Sequence, residues 1–118
     1  MVKLPSKGNY SAQVSYGKYT PHYDLAVIKA DVRRLGGRAF TLAAKQTGAR
    51  LGLSIKEMQE VVFELQNRML YKSMTTYADH RVWQDVYHIN SHGLEIYIKV
   101  TYCTAGNPPV ISFKKKSS

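Results

Sequence analysis

Five residues in the second half of this 118-residue chain could act together on one anionic ligand: Lys72, Gln84, Tyr97, Lys99 and Lys114, with Met74 and Thr76 nearby. Ammonium groups bind phosphate oxygens, and aromatic rings stack on exposed bases. The same residue types also make an ordinary solvated sheet face, so pattern alone leaves both readings open. The four histidines, His22, His80, His88 and His92, raise a metal hypothesis, and His88-x3-His92 has ligand-like spacing. That spacing works on a helix, whereas here His88 falls on a predicted strand and His92 in a turn. No carboxylate or thiolate cluster supports it, and no metal site is expected. Cys103 is the single cysteine, so no internal disulfide can form and a four-thiolate zinc site is excluded. It has no basic cluster nearby and reads as an inert strand-end residue. A Cys–His hydrolase lacks any local signature.

The elements that must position these residues change character midway. Leu25, Ile28, Val32 and Leu35 repeat at helical spacing between Asp24 and Gly36-Gly37. Thr41 reads as an N-cap for a helix from Leu42 to about Gly52. Ser54-Ile55-Lys56-Glu57 is a capping box, opening a helix with Ile55, Met58, Val61, Val62 and Leu65 on one face. From Met69 the period becomes alternating and rich in Tyr, Val, Ile and Thr, which predicts strands near 69–77, 82–90, 94–103 and 110–115. Short turns between them favour antiparallel pairing. Helices first and strands second predict an α+β fold: an antiparallel sheet with helices packed on one face.

A sheet covered on one side leaves the other to solvent. In the third of these strands Leu94, Ile96, Ile98, Val100 and Tyr102 form the buried set, and Glu95, Tyr97, Lys99 and Thr101 the open one. Ile111 and Phe113 are expected to be buried in the last strand, turning Ser112 and Lys114 outward. Lys72 shares its side with Leu70, Met74 and Thr76. The strand with Trp83, Asp85 and Tyr87 opposing Val82, Gln84 and Val86 stays ambiguous.

Lys plus Arg number 17 against 8 Asp plus Glu, a net charge of +9, so an anionic partner is the default. Hydrophobic residues at 44% are ordinary for a globular chain and exclude a disordered one. No apolar run approaches a transmembrane span, and Met1 to Pro21 holds no signal-peptide core. A soluble, cytoplasmic protein with no membrane partner is expected. Residues 1–20 read as a basic, mostly irregular arm and 21–118 as a single domain. The segment Thr41 to Leu65 imitates a helix-turn-helix, which would make the chain a DNA-binding regulator. Its second helix exposes Glu57, Glu60 and Glu64 against Lys56, a balance that would repel DNA phosphates.

The stretch Tyr71-Lys72-Ser73-Met74-Thr75-Thr76-Tyr77-Ala78-Asp79-His80, continuing through Trp83-Gln84-Asp85-Val86-Tyr87, closely resembles the motility quorum-sensing regulator toxins (MqsR family). Ile96-Tyr97-Ile98-Lys99-Val100 and Val110-Ile111-Ser112-Phe113-Lys114 are similar to that family's last two strands, and Thr20-Pro21-His22 to its N-terminal Thr-Pro-His. The resemblance runs from about residue 20 to 116. Residues 1–19 look like an extension, and the loop 103–109 is longer than the family's.

The resemblance implies a RelE-like fold and a type II toxin–antitoxin function: a ribosome-independent, metal-independent mRNA interferase that cuts single-stranded mRNA, with a preference for GCU. It implies catalytic roles for Lys72, Gln84, Tyr97 and Lys114, and RNA contacts from Met74 and His22. Thr76 and Lys99 join the RNA-binding set from their places on the open face. With Gln84 on the RNA side, Val82 and Val86 should share it, and Trp83 and Tyr87 should be buried. No cofactor is implied. The expected partners are single-stranded mRNA and a cognate antitoxin with a zinc-binding part and a DNA-binding part, docking on an exposed edge strand and the cationic surface. A non-catalytic RNA- or antitoxin-binding module is the alternative. Cleavage would need a base for the 2′-OH, an acid for the leaving oxygen and cations for the phosphorane. No Glu or paired His stands out on the face apart from Glu95 near its edge. The lysines therefore take phosphate stabilisation, one of them doubling as base, while Tyr97 takes the acid role and Gln84 orients the nucleotide.

Overall fold

The computed structural model describes residues 2–3, 16–102 and 106–117. The predicted position of Cys103 lies outside them. A six-stranded antiparallel sheet carries β1 (Val2–Lys3), β2 (Tyr16–Lys18), β3 (Leu70–Thr75), β4 (Trp83–Ser91), β5 (Leu94–Val100) and β6 (Val110–Lys115), in that spatial order. Three helices, α1 (Leu25–Leu35), α2 (Leu42–Arg50) and α3 (Ile55–Glu64), precede β3. This is the α+β arrangement expected. Within the stretch read as a mostly irregular arm, Val2–Lys3 and Tyr16–Lys18 are strands that extend the sheet at β3, where Gly17 faces Met74.

Each helix starts where its cap predicts. The Asp24 carboxylate accepts from Ala26 N–H, Thr41 Oγ1 from Ala44 N–H, and Ser54 and Glu57 exchange both bonds of a capping box. Gly36 ends α1 at φ 59°, a conformation that favours glycine. Gly48 is needed for a different reason. A Cβ there would lie 2.5 Å from the sulfur of buried Met58, so its missing side chain lets α2 and α3 close on each other. The core lies between these helices and one sheet face. It is built from Ile28, Val32, Met58, Val61, Val62 and Leu65 against Tyr87, Ile96, Ile98, Val100, Val110 and Phe113.

Two β-bulges correct the predicted alternation. Leu70 pairs with Tyr87 but Lys72 pairs with Val86, so Tyr71 is an extra residue. Leu70 therefore belongs to the covered side, not to the side of Lys72. In β6, Val100 pairs with Val110 and Lys99 with Ser112, which makes Ile111 the extra residue. Val110 takes the buried place predicted for Ile111, which is only half-buried. The strand predicted over 94–103 ends at Val100. Thr101, assigned to the open side, is instead buried, its hydroxyl donating to the Trp83 carbonyl. The β4–β5 turn is tight, with His92 and Gly93 at φ 55° and 72°, as a two-residue hairpin that keeps the strands' right-handed twist requires.

Asp85 fastens the chain entering α1 to the sheet. It is fully buried and accepts N–H bonds from His22 and Tyr23 (3.0 and 2.9 Å to Oδ2) and a hydroxyl bond from Ser73. Tyr87 is the opposite case. Its ring fills the core, its hydroxyl has no partner among the described residues, and burial pushes its pKa well above the ordinary phenol value. Replacing Asp85 by Ala strands three donors and should lower unfolding free energy by about 3 kcal/mol. Tyr87→Phe should be neutral or stabilising by up to about 1 kcal/mol. Urea titration of the two variants checks both signs.

Candidate active site

Directly paired residues of antiparallel strands point their side chains to the same face. His88 pairs with Tyr97, and Tyr97 with Lys114. Val86 pairs with both Lys72 and Lys99, and Lys99 with Ser112. Met74 pairs with Gln84. All of these lie on the face away from the helices. The register thus gathers Lys72, Gln84, Tyr97, Lys99 and Lys114 on one side of the sheet, with Met74 among them. Val86 is fully buried beneath this layer although it is not part of the helix-side core.

The contacts within the layer are short. Lys114 Nζ lies 5.0 Å and Lys99 Nζ 5.9 Å from the centre of the Tyr97 ring. Lys72 Nζ lies 5.3 Å from the Tyr71 ring. The bulge that displaces Leu70 puts Tyr71 flat on His88, ring centres 4.4 Å apart and planes 18° apart, with the outer ring 52% exposed. His88 in turn sits 5.7 Å from Tyr97. An open depression of about 670 Å³ is lined by Tyr71, His88, Tyr97, Lys114, Lys116 and Ser117. Gln84 and Met74 lie further along. Gln84 is four residues from His88 on β4, roughly 13 Å at strand rise.

Two expected RNA contacts are not brought to the centre of this face. His22 lies on the helix side, where its backbone bonds Asp85 and its ring stacks on Trp83 at 4.7 Å. Lys18 Nζ lies 3.2 Å from His22 Nδ1 and 4.6 Å from the Trp83 ring. Burial and the Lys18 charge lower the His22 pKa against the pull of Asp85. Trp83, expected to be buried, is half-buried within this second cluster. Thr76 stands just beyond β3 and spends its hydroxyl on a turn, donating to the Asp79 carbonyl and accepting from the Asp79 N–H. The sheet edge at β6 is partly covered. Thr41 N–H and Oγ1–H donate to the carbonyls of Val110 and Ile111, and Thr47 Oγ1–H to that of Phe113.

Sequence reasoning missed Tyr71, His88 and Lys116. The signal for His88 was its parity with Gln84 on β4, and Tyr71 required the bulge. Burial first, then the charges of Lys116 and Lys72, holds the His88 imidazole below its ordinary pKa. It is therefore the neutral, proton-accepting form that stands on this face at neutral pH.

The model of the family described as "Motility quorum-sensing regulator, toxin of MqsA" matches residues 20–115. The chain belongs to that toxin family. The mRNA interferase toxin MqsR of Escherichia coli (strain K12) is 37% identical over 99 residues, covering 84% of this chain and 98% of the relative. The match takes in the open face from Tyr71 through Lys114, stops just before Lys116, and begins at Thr20, just after β2. In this MqsR-family chain no group of three or more His, Cys, Asp or Glu suited to a metal occurs among the described residues. No helix among the described residues is long and apolar enough to cross a membrane.

Imidazole shifts followed by NMR should place the His88 midpoint below about 6.5, the ordinary histidine value. Lys116→Gln should move it upward, because removing a neighbouring cation removes a penalty on protonation. A midpoint at or above the ordinary value would contradict the described surroundings.

Proposed function

We propose that this MqsR-family toxin is an endoribonuclease of a type II toxin–antitoxin pair that cuts single-stranded mRNA without ribosome or metal. The observation that carries the reading is the row of Tyr97 and the ammonium groups of Lys72, Lys99 and Lys114 on one uncovered sheet face. The similarity to a protein named an mRNA interferase toxin supports it. On this reading the sheet is RelE-like, the catalytic unit is 21–118, GCU is the preferred site and the cytoplasm is where the protein acts. The family model's span of residues 20–115 supports that unit.

The roles follow from charge and position. Cleavage converts a phosphodiester into a phosphorane that carries an extra negative charge, and preformed cations lower its energy. Lys72 and Lys114 supply those cations. Tyr97, flanked by Lys99 and Lys114, gives its phenolic proton to the leaving 5′-oxygen, and the adjacent ammonium groups stabilise the phenolate left behind. Gln84 orients the nucleotide, Met74 lines its base, and Lys99 holds a flanking phosphate. His22 and Thr76 could touch RNA only beyond this face. The antitoxin partner, zinc-binding and DNA-binding in this reading, would cover the same cationic surface. The helix-turn-helix reading is weaker, since α3 buries Met58, Val61 and Val62 and turns Glu57 and Glu60 outward.

Purified protein should cleave a synthetic single-stranded RNA in excess EDTA, leaving a 5′-OH on one product and a 2′,3′-cyclic phosphate on the other. Lys72→Ala and Tyr97→Phe should each slow cleavage at least about tenfold with the circular dichroism spectrum unchanged. RNA binding without cleavage would leave a binding module, and a fully active Lys72→Ala protein would remove the mechanism.

A further inference from the structure

Strand cleavage through the 2′-oxygen needs a group that accepts the 2′-OH proton. The lysines are already assigned to hold the phosphate and stabilise the phosphorane, so proton acceptance falls to a separate group on the face. We propose that His88 is the general base of this chain, taking the proton of the 2′-OH while Tyr97, its directly paired neighbour on β5, protonates the leaving oxygen. The inference rests on the nuclease reading above and assigns a role within the same site.

The geometry carries it. His88, Tyr97 and Lys114 are successive partners across β4, β5 and β6. Adjacent strands lie about 4.8 Å apart, so the row spans roughly 10 Å and leaves room for a phosphodiester among its members. His88 and Tyr97, ring centres 5.7 Å apart, can stand on either side of one phosphodiester, the base toward the 2′-oxygen and the acid toward the 5′-oxygen, while Lys114 beside Tyr97 meets the non-bridging oxygens. The imidazole is held in place by Tyr71 stacked on it at 4.4 Å. No described side chain hydrogen-bonds either ring nitrogen, so one remains available to substrate. The groups facing it are Tyr71 and Lys72 from β3, Tyr97 from β5, and Lys114 and Lys116 from β6 and the residue after it. Glu95, the carboxylate on this face, stands at the register of Asn90, one same-face step further along. Cations outnumber it around the ring, and their charge adds to burial in lowering the imidazole pKa.

The step balances without a co-reactant. The 2′-O–H proton passes to a ring nitrogen, the 2′-oxygen forms a bond to phosphorus, and the phosphorus–O5′ bond breaks. O5′ takes the proton of the Tyr97 hydroxyl, and the imidazolium then returns one proton to the phenolate, directly or through water. Both side chains end as they began. The products are a 2′,3′-cyclic phosphate and a 5′-OH.

The test is single-turnover cleavage of a synthetic single-stranded RNA between about pH 5 and 8. Wild-type rate should rise with pH along an acidic limb and level off by neutrality, since the base form appears above the depressed midpoint. His88→Gln should lose about a hundredfold in rate and lose that limb, with affinity for an uncleavable 2′-deoxy RNA changed by less than about threefold. Lys116→Gln, which keeps His88, should move the limb to higher pH. A His88→Gln protein that keeps its limb or cuts within about threefold of wild type overturns the assignment and leaves the nuclease reading standing. A limb that stays in place in Lys116→Gln also overturns it. Wild-type protein that binds this RNA and never cuts it overturns both readings.

Discussion

The antiparallel register of β4, β5 and β6 is the constraint on which the rest of the molecule depends. It makes His88, Tyr97 and Lys114 neighbours although 26 residues separate the first from the last. The same register puts Tyr87, Ile98 and Phe113 together on the reverse, where they bury against α1, α2 and α3. Because side chains alternate with period two, the two faces cannot be set independently. A one-residue slip would carry the lysines into the apolar layer and the apolar residues into water. The hydrophobic core therefore enforces the geometry of the cationic face without touching it. The helices contribute by covering one side only, and Gly48 contributes by letting two of them pack closely enough to do so.

Both departures from strict alternation serve the exposed face. Without the bulge at Tyr71, β3 could offer that side either Lys72 or Tyr71, not both. The extra residue lets the ring stack on His88 while Lys72 stays at the register of Val86. The bulge at Ile111 lets β6 bury Val110 and Phe113 yet keep Ser112 and Lys114 outward. The backbone at this strand is also tied down from the helix side. The hydroxyls of Thr41 and Thr47 take up carbonyls that an incoming strand would otherwise use.

Much of this is legible in the residues alone. Caps at Asp24, Thr41 and Ser54 mark helix starts because a side-chain acceptor for orphan N–H groups is a local requirement. The faces of β5 are readable because Leu94, Ile96, Ile98 and Val100 alternate with polar residues. The faces of β4 are not, since Val82 and Val86 compete with Trp83 and Tyr87, and only the family resemblance assigns Gln84. Once Gln84 is assigned, His88 follows by parity, but its spacing from His92 draws attention to metal binding instead. Bulges are not legible, because an extra residue leaves no local mark in composition, so Leu70 and Ile111 are expected on the wrong sides. His22 is assigned to the open face by likeness alone. Its actual position is decided by Asp85, a buried carboxylate whose demand for donors holds the backbone of His22 and Tyr23 on the helix side.

The chemistry of the face follows from its imbalance of charge. Lys72, Lys99, Lys114 and Lys116 crowd a surface whose carboxylate, Glu95, stands at its edge. Like charges this close repel, and the fold tolerates them because their ends reach water while Val86 is buried beneath them. The same repulsion is what an anion relieves on binding. Burial first, and then the charges of Lys116 and Lys72, also hold the His88 imidazole below its ordinary pKa. On the proposed reading one distribution of charge has two effects: it attracts a phosphate to the sheet, and it helps keep a neutral imidazole beside that phosphate.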